Sequence, residues 1–184
     1  MFAGRDNFSS RRKRMDADIT IRRARDISDF EVAREFVSAL GAWDADINSG
    51  AGGMPFHDVV AAYFGASPQD LMAKFSEDGA DFFIAHIGGE AVGCVGCTDE
   101  GDGIGEVHKL YVKPQLRGKR VGLALMTTVM NAMREQGATT ARLVTATYMN
   151  EAIALYRGLG FQECEPFDPV PDRITMFMQC SLVR

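Results

Sequence analysis

The chain has 184 residues, 46% of them hydrophobic, which is enough for one globular domain with an apolar core. Its formal net charge of -5 argues against a nucleic-acid partner, and no apolar run reaches the roughly 20 residues that cross a bilayer. Residues 1–18 lack the apolar core of a secretory signal. We therefore expect a disordered basic N-terminal tail at 1–18, a single domain over 19–184, and a cytoplasmic protein with no membrane partner.

The N-terminal part of the predicted domain begins with a strand and a helix. Alternating apolar and polar residues at 19–24 predict the strand. Asp26 is a typical helix cap, and the helix is expected to end just before Gly41. The glycine-rich stretch 41–56 is predicted to be a loop and holds the only tryptophan, Trp43. Two interpretations of this loop stay open, a mobile wall of a substrate pocket or a surface connection fixed by one buried indole.

Helices and a hairpin are predicted next along the chain. Residues 57–64 indicate a short helix, and Ser67 caps another that follows it. The strands "ADFFIAHIGG" and "EAVGCVGCT" are joined by a tight glycine turn at 88–89. The stretch "GDGIG", 101–105, resembles a dinucleotide fingerprint, but a strand follows it where such a fingerprint needs a helix. We therefore interpret it as a second hairpin turn.

The second half of the chain alternates strands and helices. Strands are predicted at 104–112 and 141–148, and helices at 119–136 and 150–159. The first of these helices has one apolar face, formed by Val121, Leu125, Val129, Ala132 and Met133. "FQECE" and "RITMFMQCSL" are predicted to be terminal strands. The pattern indicates a mixed α/β fold.

The cysteines and histidines show no spacing typical of a metal or redox site. Cys94 and Cys97 form a C-x-x-C, but their surroundings indicate a strand, in which residues three apart face opposite sides. Cys164 and Cys180 supply no second pair. We therefore predict no disulfide scaffold and no metal.

The stretch "PQLRGKRVGLAL", residues 114–125, places a cationic glycine turn between a strand and the strongest predicted helix. No Asp or Glu occurs from Val107 to Arg134, and the cations in this range are Lys109, Lys113, Arg117, Lys119, Arg120 and Arg134. A glycine turn that leads into a helix N-terminus presents several backbone N–H groups to one point, which favours a phosphate. A solvated basic face is the alternative. No Lys-Ser/Thr pair follows the glycines, so the turn gives no support for NTP hydrolysis.

Two motifs in the correct order make the chain resemble the GNAT superfamily of N-acetyltransferases. Gln115, Gly118 and Gly122 match the family's pyrophosphate loop, although Arg120 stands where that loop has a small residue. "NEAIALYRGLGF", 150–161, resembles a second segment of the family, and "GEVHKLYVKP" resembles its fourth strand. The resemblance implies an α/β fold with a mixed, mostly antiparallel sheet of six to seven strands flanked by about four helices. It also implies that strands 4 and 5 splay apart.

The resemblance implies acetyl-CoA as co-substrate, bound mainly by main-chain groups. The residues implied to pair with the pantetheine arm are Leu110, Tyr111 and Val112. The residues implied to surround the pyrophosphate are Gln115, Arg117, Gly118, Lys119, Arg120, Val121, Gly122 and Leu123. Asn150 and Tyr156 are implied to lie near the pantetheine and thioester end.

The resemblance also implies two catalytic side chains for direct transfer to an amine. Tyr156 matches the family's tyrosine beside the sulfur and is assigned as the general acid for the departing thiolate. Glu106 matches the strand-four glutamate that deprotonates the amine. Each residue has a structural alternative, a helical core stripe for Tyr156 and a solvated strand end for Glu106. The N–H of Leu110 or Tyr111 is the expected oxyanion donor.

Three further residues are predicted to lie near the acceptor, namely Trp43, His108 and Tyr148. A regular strand places Glu106 and His108 on one face, so His108 is either a second base candidate or a packing residue. A bulge in this strand, usual in the family, would change which later residues share a face.

The predicted function is acetyl-CoA-dependent N-acetylation of a primary amine in a small or amino-acid-like acceptor. Three alternatives stay open: a non-catalytic module that senses acyl-CoA, a protein or peptide N-terminal acetyltransferase, and a nucleotide-binding protein unrelated to CoA. We expect a monomer or a homodimer, since an exposed terminal strand is able to pair with a second copy.

Overall fold

The computed structural model describes residues 18–48, 66–168 and 175–183. These ranges contain four α-helices: α1 (Ile27–Asn48), α2 (Pro68–Phe75), α3 (Val121–Glu135) and α4 (Asn150–Gly158). Their strands are β1 (Ile19–Arg23), β2 (Asp81–Ile87), β3 (Glu90–Asp99), β4 (Ile104–Val112), β5 (Thr140–Ala146), β6 (Gln162–Glu163) and β7 (Thr175–Ser181). A 3₁₀ turn, Pro114–Leu116, follows β4. The helix predicted at 57–64 and nearly all of the predicted basic tail lie outside the described residues.

The strands form one mixed sheet in the order β1-β2-β3-β4-β5-β7-β6. Only the β4–β5 pair is parallel, and the other neighbouring pairs are antiparallel. Both predicted hairpins are present, since the turn glycines have left-handed φ angles, 60° and 85° at 88–89 and 81° at Gly101. The predicted fold class is confirmed: the sheet has seven strands and four helices lie against it.

Helices on both faces of the sheet give the domain two apolar cores. One core lies under α3 and α4, and the other lies under α1 and α2. Cys97 belongs to the first core and Cys94 to the second, so the two sulfurs lie on opposite faces of β3 as predicted. Because both faces of the sheet are covered by helices, side chains that point to either face of a strand are largely shielded from solvent. The charged residues of β4 and β5 described below are therefore partly buried.

Helix α1 is longer than predicted. Asp26 caps it, with its Oδ1 accepting the N–H of Asp29 at 3.1 Å, but the helix continues through Gly41 to Asn48. The expectation of a loop from residue 41 is therefore wrong for 41–48, and the rest of that stretch lies outside the described residues. Gly41 continues the buried stripe of Phe30, Ala33 and Val37, where packing offsets the roughly 1 kcal/mol that glycine costs in a helix interior.

The C-terminal strands differ from prediction in length. "FQECE" contributes only the two residues of β6, which pair with β7. β7 is described from Thr175 to Ser181, and the first two residues of the predicted last strand, 173–174, lie outside the described residues. In the part of the chain that the structure describes, no helix combines the length and the apolar composition needed to cross a membrane.

Candidate functional site

β4 and β5 separate halfway along their length. They pair in parallel register only as far as Val107 and Leu143. Beyond that point β4 pairs with β3 and β5 pairs with β7. We call the gap between residues 108–112 of β4 and 144–146 of β5 the wedge. It confirms the predicted splay, and one edge of it carries the main-chain groups of Leu110, Tyr111 and Val112.

A bulge in β4 lies at the start of the wedge. The register with β3 shifts between His108 and Tyr111, and Lys109 has a left-handed φ of 56°, which non-glycine residues seldom adopt. The Lys109 carbonyl accepts the thiol hydrogen bond of Cys94 at 3.4 Å. Because the extra residue resets the alternation of side chains, Leu110 and Tyr111 no longer follow the parity of the first half of β4.

The glycine turn lies at the mouth of the wedge, between β4 and α3. Gly118 and Arg120 both have left-handed φ angles, 74° and 64°. The carbonyl of Arg120 accepts the first helical hydrogen bond, from the N–H of Ala124 at 3.0 Å. The N–H groups at 121–123 therefore belong to the first turn of α3, where no preceding helical carbonyl is available. Together with the positive end of the helix dipole, they suit an anion.

The cationic side chains of this turn are not equivalent. The guanidinium carbon of Arg117 lies 5.4 Å from the centre of the Trp43 ring, and its Nη1 lies 4.0 Å from Glu151 Oε2. The side chain of Arg117 therefore contacts α1 and α4, and its place beside a pyrophosphate stays a prediction. Arg117, Lys119 and Arg120 are all exposed, and of the three only Arg117 has a described contact with α1.

Trp43 lies across the mouth of the wedge. Its ring contacts Arg117, which follows β4, and lies 6.4 Å from the ring of Tyr148, which follows β5. Asn150, the exposed first residue of α4, donates its backbone N–H to the Tyr148 carbonyl at 2.9 Å. Two of the three residues predicted near the acceptor therefore lie together, and the unexpected extension of α1 is what places Trp43 there.

Tyr156 lies on α4 in the core under α3 and α4. It is 7% exposed, and its ring lies 5.9 Å from that of Phe161. Burial raises the pKa of its phenol well above the ordinary value, so the hydroxyl keeps its proton at neutral pH. The phenol is therefore protonated at neutral pH and is a weaker acid than an exposed tyrosine.

The side chain of Glu106 belongs to a closed ring of polar contacts across β3, β4 and β5, which we call the polar ring. Its Oε2 accepts from Arg142 Nε at 2.8 Å, and Arg142 Nη2 lies 3.1 Å from Glu100 Oε2. The hydroxyl of Thr98 donates to Glu100 Oε1 at 2.7 Å and lies 2.7 Å from His108 Nε2. His108 Nδ1 lies 3.8 Å from Glu106 Oε1, which closes the ring. Glu106 and His108 share a face, as predicted.

Burial changes the titration of both residues. It raises the pKa of the Glu106 carboxyl, although the hydrogen bond and charge of Arg142 act in the opposite direction. It also lowers the pKa of His108 to about 3, and nearby Lys74 and Lys109 add to this effect. His108 is therefore neutral at physiological pH, while Glu106 titrates closer to neutrality than an exposed glutamate.

Sequence reasoning missed three members of the polar ring, namely Arg142, Glu100 and Thr98. Arg142 alternates with Ala141 and Leu143, which are buried under α3, so its own side chain points to the face of α1 and α2. The guanidinium carbon of Arg142 also lies 4.2 Å from the centre of the Phe167 ring. A cation on a strand covered on both faces was the available signal, because such a charge needs buried partners.

The buried cysteines are poor nucleophiles. Burial raises the pKa of the Cys97 thiol to about 12 and that of Cys94 further still, so neither forms a thiolate at neutral pH. Among residues 18–48, 66–168 and 175–183, no group of three or more His, Cys, Asp or Glu side chains is arranged to hold a metal ion.

A split sheet with a helix N-terminus at the mouth of the gap suits a long ligand with an anionic end. The model of the acetyltransferase (GNAT) family matches residues 54–161. This chain belongs to the GNAT acetyltransferase family, so the expected acyltransferase is confirmed at the level of the family.

Individual relatives agree with this assignment. The chain is 37% identical over 104 residues to the IAA acetyltransferase of Azospirillum brasilense, covering 55% of this chain and 67% of the relative. It is 30% identical over 137 residues to N-acetyltransferase 8 of Rattus norvegicus, covering 71% and 61%. The matches to the curated relatives named here and to related rat proteins span about half to two thirds of those proteins' length.

Solved structures agree over almost the whole chain. A putative acyl-CoA N-acyltransferase from Klebsiella pneumoniae is 27% identical with a TM-score of 0.67, covering 91% of this chain and 99% of that one. The PaiA N-acetyltransferase of Thermoplasma acidophilum in complex with coenzyme A has a TM-score of 0.71, covering 89% and 99%. At 19% identity the latter likeness concerns the fold alone.

Proposed function

We propose that this protein transfers an acetyl group from acetyl-CoA directly to the primary amine of a small or amino-acid-like acceptor. The observation that carries the proposal is the wedge, with the N-terminus of α3 at its mouth. A diphosphate suits the N–H groups at 121–123, and an amide-bearing arm suits the β4 edge at 110–112, which has no strand partner on that side among the described residues. Family membership supports the choice of acetyl-CoA over other ligands of this shape.

The two catalytic side chains proposed for this reaction have suitable protonation states. Tyr156 holds its proton at neutral pH, as a general acid for the departing thiolate of CoA must, although its raised pKa makes it a weaker donor than an exposed tyrosine. Glu106 has a raised pKa and a position beside the wedge on β4, which suits a base that takes a proton from the acceptor nitrogen. The N–H of Leu110 or Tyr111, just past the bulge, is the proposed donor to the oxyanion.

Direct attack by the amine is favoured over an acetylated cysteine. Cys94 and Cys97 are the cysteines nearest to the wedge along β3, and both are buried thiols with raised pKa values. A ping-pong route would need one of them to form a thiolate in an apolar core, which burial opposes. A ternary complex of donor and acceptor avoids that step.

The proposed acceptor site lies on the side of the wedge that faces α1. Trp43 and Tyr148 supply aromatic surface at its mouth, and the polar ring supplies the carboxylate of Glu106 farther in. This arrangement suits an amine on a compact apolar or amino-acid-like body. A peptide substrate would need an open groove past Trp43.

The experiment that tests the proposal follows the release of free CoA thiol from acetyl-CoA with amino acids, polyamines, aminoglycosides and short peptides. We expect turnover with a compact primary amine and micromolar to millimolar acceptor KM values, the common range for enzymes. Coenzyme A binding without turnover across the panel would favour a non-catalytic sensor, and preference for peptides would favour an N-terminal acetyltransferase. Failure to bind coenzyme A by calorimetry would contradict the proposal.

Tyr156→Phe tests the acid within the same assay. Removing the hydroxyl should lower kcat by about 10²-fold, within the usual range for a general acid, while leaving the affinity for coenzyme A unchanged. The ring is retained, so its packing against Phe161 is preserved. Undiminished kcat in this variant would remove the acid role from Tyr156.

A further inference from the structure

We propose that Thr98 and Glu100 fix the tautomer of His108, so that His108 Nδ1 and Glu106 Oε1 form a pair of hydrogen-bond acceptors for the two N–H groups of a primary amine. The inference rests on the proposed acetyl transfer and names a specificity of that same site, a preference for primary over secondary amines. The observation behind it is the polar ring, in which a hydrogen-bond donor can be assigned to every contact except that between His108 Nδ1 and Glu106 Oε1.

The donors of the ring can be assigned one by one. Arg142 donates to both carboxylates, with Nε 2.8 Å from Glu106 Oε2 and Nη2 3.1 Å from Glu100 Oε2, so both of these oxygens act as acceptors. Glu100 can then only accept, so the single hydroxyl proton of Thr98 is directed to Glu100 Oε1. Thr98 Oγ1 must therefore accept at its 2.7 Å contact with His108, and Nε2 carries the proton.

The charges around His108 favour its neutral form. Lys74 of α2, Lys109 of β4 and Arg142 of β5 all lie close enough to oppose a positive charge on the ring. Glu106 of β4 favours that charge, and Glu100, the residue after β3, is joined to His108 through the Thr98 hydroxyl. A neutral ring with its proton on Nε2 has a bare lone pair on Nδ1.

The remaining contact joins two acceptors. His108 Nδ1 and Glu106 Oε1 lie 3.8 Å apart, and neither atom has a proton to offer the other. The imidazole and carboxylate side chains are 17% and 15% exposed, so water reaches these acceptors in the free protein, and a bound substrate that shields one of them from water without donating to it incurs a cost. A donor atom with two N–H bonds, about 2.9 Å from each acceptor, satisfies both. A neutral primary amine has two such bonds and keeps its lone pair for the thioester.

The proposed step is balanced in protons and electrons. The ammonium form of the acceptor first loses one proton to solvent, which leaves two N–H bonds and a lone pair. The nitrogen–carbon bond then forms as the carbon–sulfur bond breaks, the nitrogen gives one proton to Glu106, and the thiolate takes the proton of Tyr156. Proton exchange with solvent restores both side chains. A neutral secondary amine has one N–H bond and leaves one acceptor unfilled.

The tautomer can be measured without any substrate. In protein with ¹⁵N-labelled histidine, assigned with a His108→Gln variant, we expect an unprotonated Nδ1 and a protonated Nε2 at pH 7. Thr98→Val should mix the two tautomers, and Thr98→Ser should restore one because the hydroxyl is retained. A protonated Nδ1, a charged ring, or an unchanged tautomer in Thr98→Val would overturn the inference. Since no turnover is involved, this result is independent of the proposed reaction.

The specificity is tested with methylamine and dimethylamine as probes, with thiol release as the readout. We expect kcat/KM for methylamine to exceed that for dimethylamine by about tenfold, the cost of one unfilled buried acceptor. This ratio should approach one in Thr98→Val and recover in Thr98→Ser. Equal use of both amines by the unmodified protein would overturn the inference. If neither probe is acetylated, the proposed transfer is in doubt, and the inference is then decided by the ¹⁵N chemical shift of His108 Nδ1 as each amine is added. A larger change in this shift with methylamine than with dimethylamine supports the inference, and equal changes overturn it.

Discussion

Replacement of Arg120 by glycine and by alanine separates backbone strain from charge at the turn before α3. Arg120 has φ 64° and ψ 7°, the left-handed conformation. That conformation costs a residue with a Cβ about 1–2 kcal/mol, and glycine loses about 0.5–1 kcal/mol of conformational entropy on folding that alanine does not. Arg120→Gly should therefore have a free energy of unfolding about 0.5–1 kcal/mol greater than that of Arg120→Ala. Because both variants lose the same guanidinium, the charge effect cancels in this comparison.

Urea denaturation of the two variants measures this difference, and coenzyme A calorimetry measures the charge. Since Arg120 is exposed, losing its guanidinium should cost at most about 1 kcal/mol of binding, or about fivefold in affinity, and by a similar amount in both variants. If Arg120→Ala proves as stable as Arg120→Gly, the turn does not have the left-handed geometry that directs the first N–H groups of α3. A loss of affinity confined to Arg120→Gly would equally contradict the reasoning, since a more flexible backbone and not the charge would then control binding.

Two further predictions concern the polar ring. Glu106→Gln should slow acetyl transfer most at pH values where the Glu106 carboxylate is ionised, and the difference from the unmodified enzyme should shrink as pH falls through its raised pKa, because a protonated carboxyl cannot act as a base. A pH–rate profile parallel to that of the unmodified enzyme would reject Glu106 as the base. His108 should make stability pH-dependent, because its pKa falls from about 6.5 in the unfolded chain to about 3 in the fold. The unfolded chain binds the extra proton between these values, so this contribution is complete above about pH 6.5 and is lost as pH falls towards 3. From pH 7 to pH 5 the unmodified protein should lose about 2 kcal/mol more than His108→Gln, and equal losses in urea melts would show that the histidine is not desolvated.

The sequence predicted those features that depend on local pattern. The glycines at 88–89 and 101 correctly predicted the two hairpin turns, and the periodic apolar residues of α3 correctly predicted where this helix lies in the chain. The extension of α1 past Gly41 was missed because helix termination is a local signal, whereas tertiary packing along the buried side of α1 decides whether the helix continues.

In the candidate site, too, the sequence indicated individual residues but not the contacts between distant parts of the chain. The resemblance pointed to Tyr156, Glu106 and the turn, and their roles in the reaction stay proposals; the structure places Glu106 on β4 and Tyr156 in the core on α4. The contact of Arg117 with Trp43 could not be read from the sequence, because it joins residues far apart in the chain. The polar ring was missed for the same reason, since Arg142 is 36 residues from Glu106 and only their parallel register brings them together.

The wedge also bears on the order in which substrates bind. Only four residue pairs join β4 to β5, so the β1–β4 and β5–β7 portions of the sheet share little main-chain bonding. A donor arm lying along 110–112 would add hydrogen bonds at this weak junction and narrow the opening beneath Trp43. The acceptor would then meet a complete pocket only after the donor is in place, which makes a compulsory sequence of donor first and acceptor second the natural kinetic result.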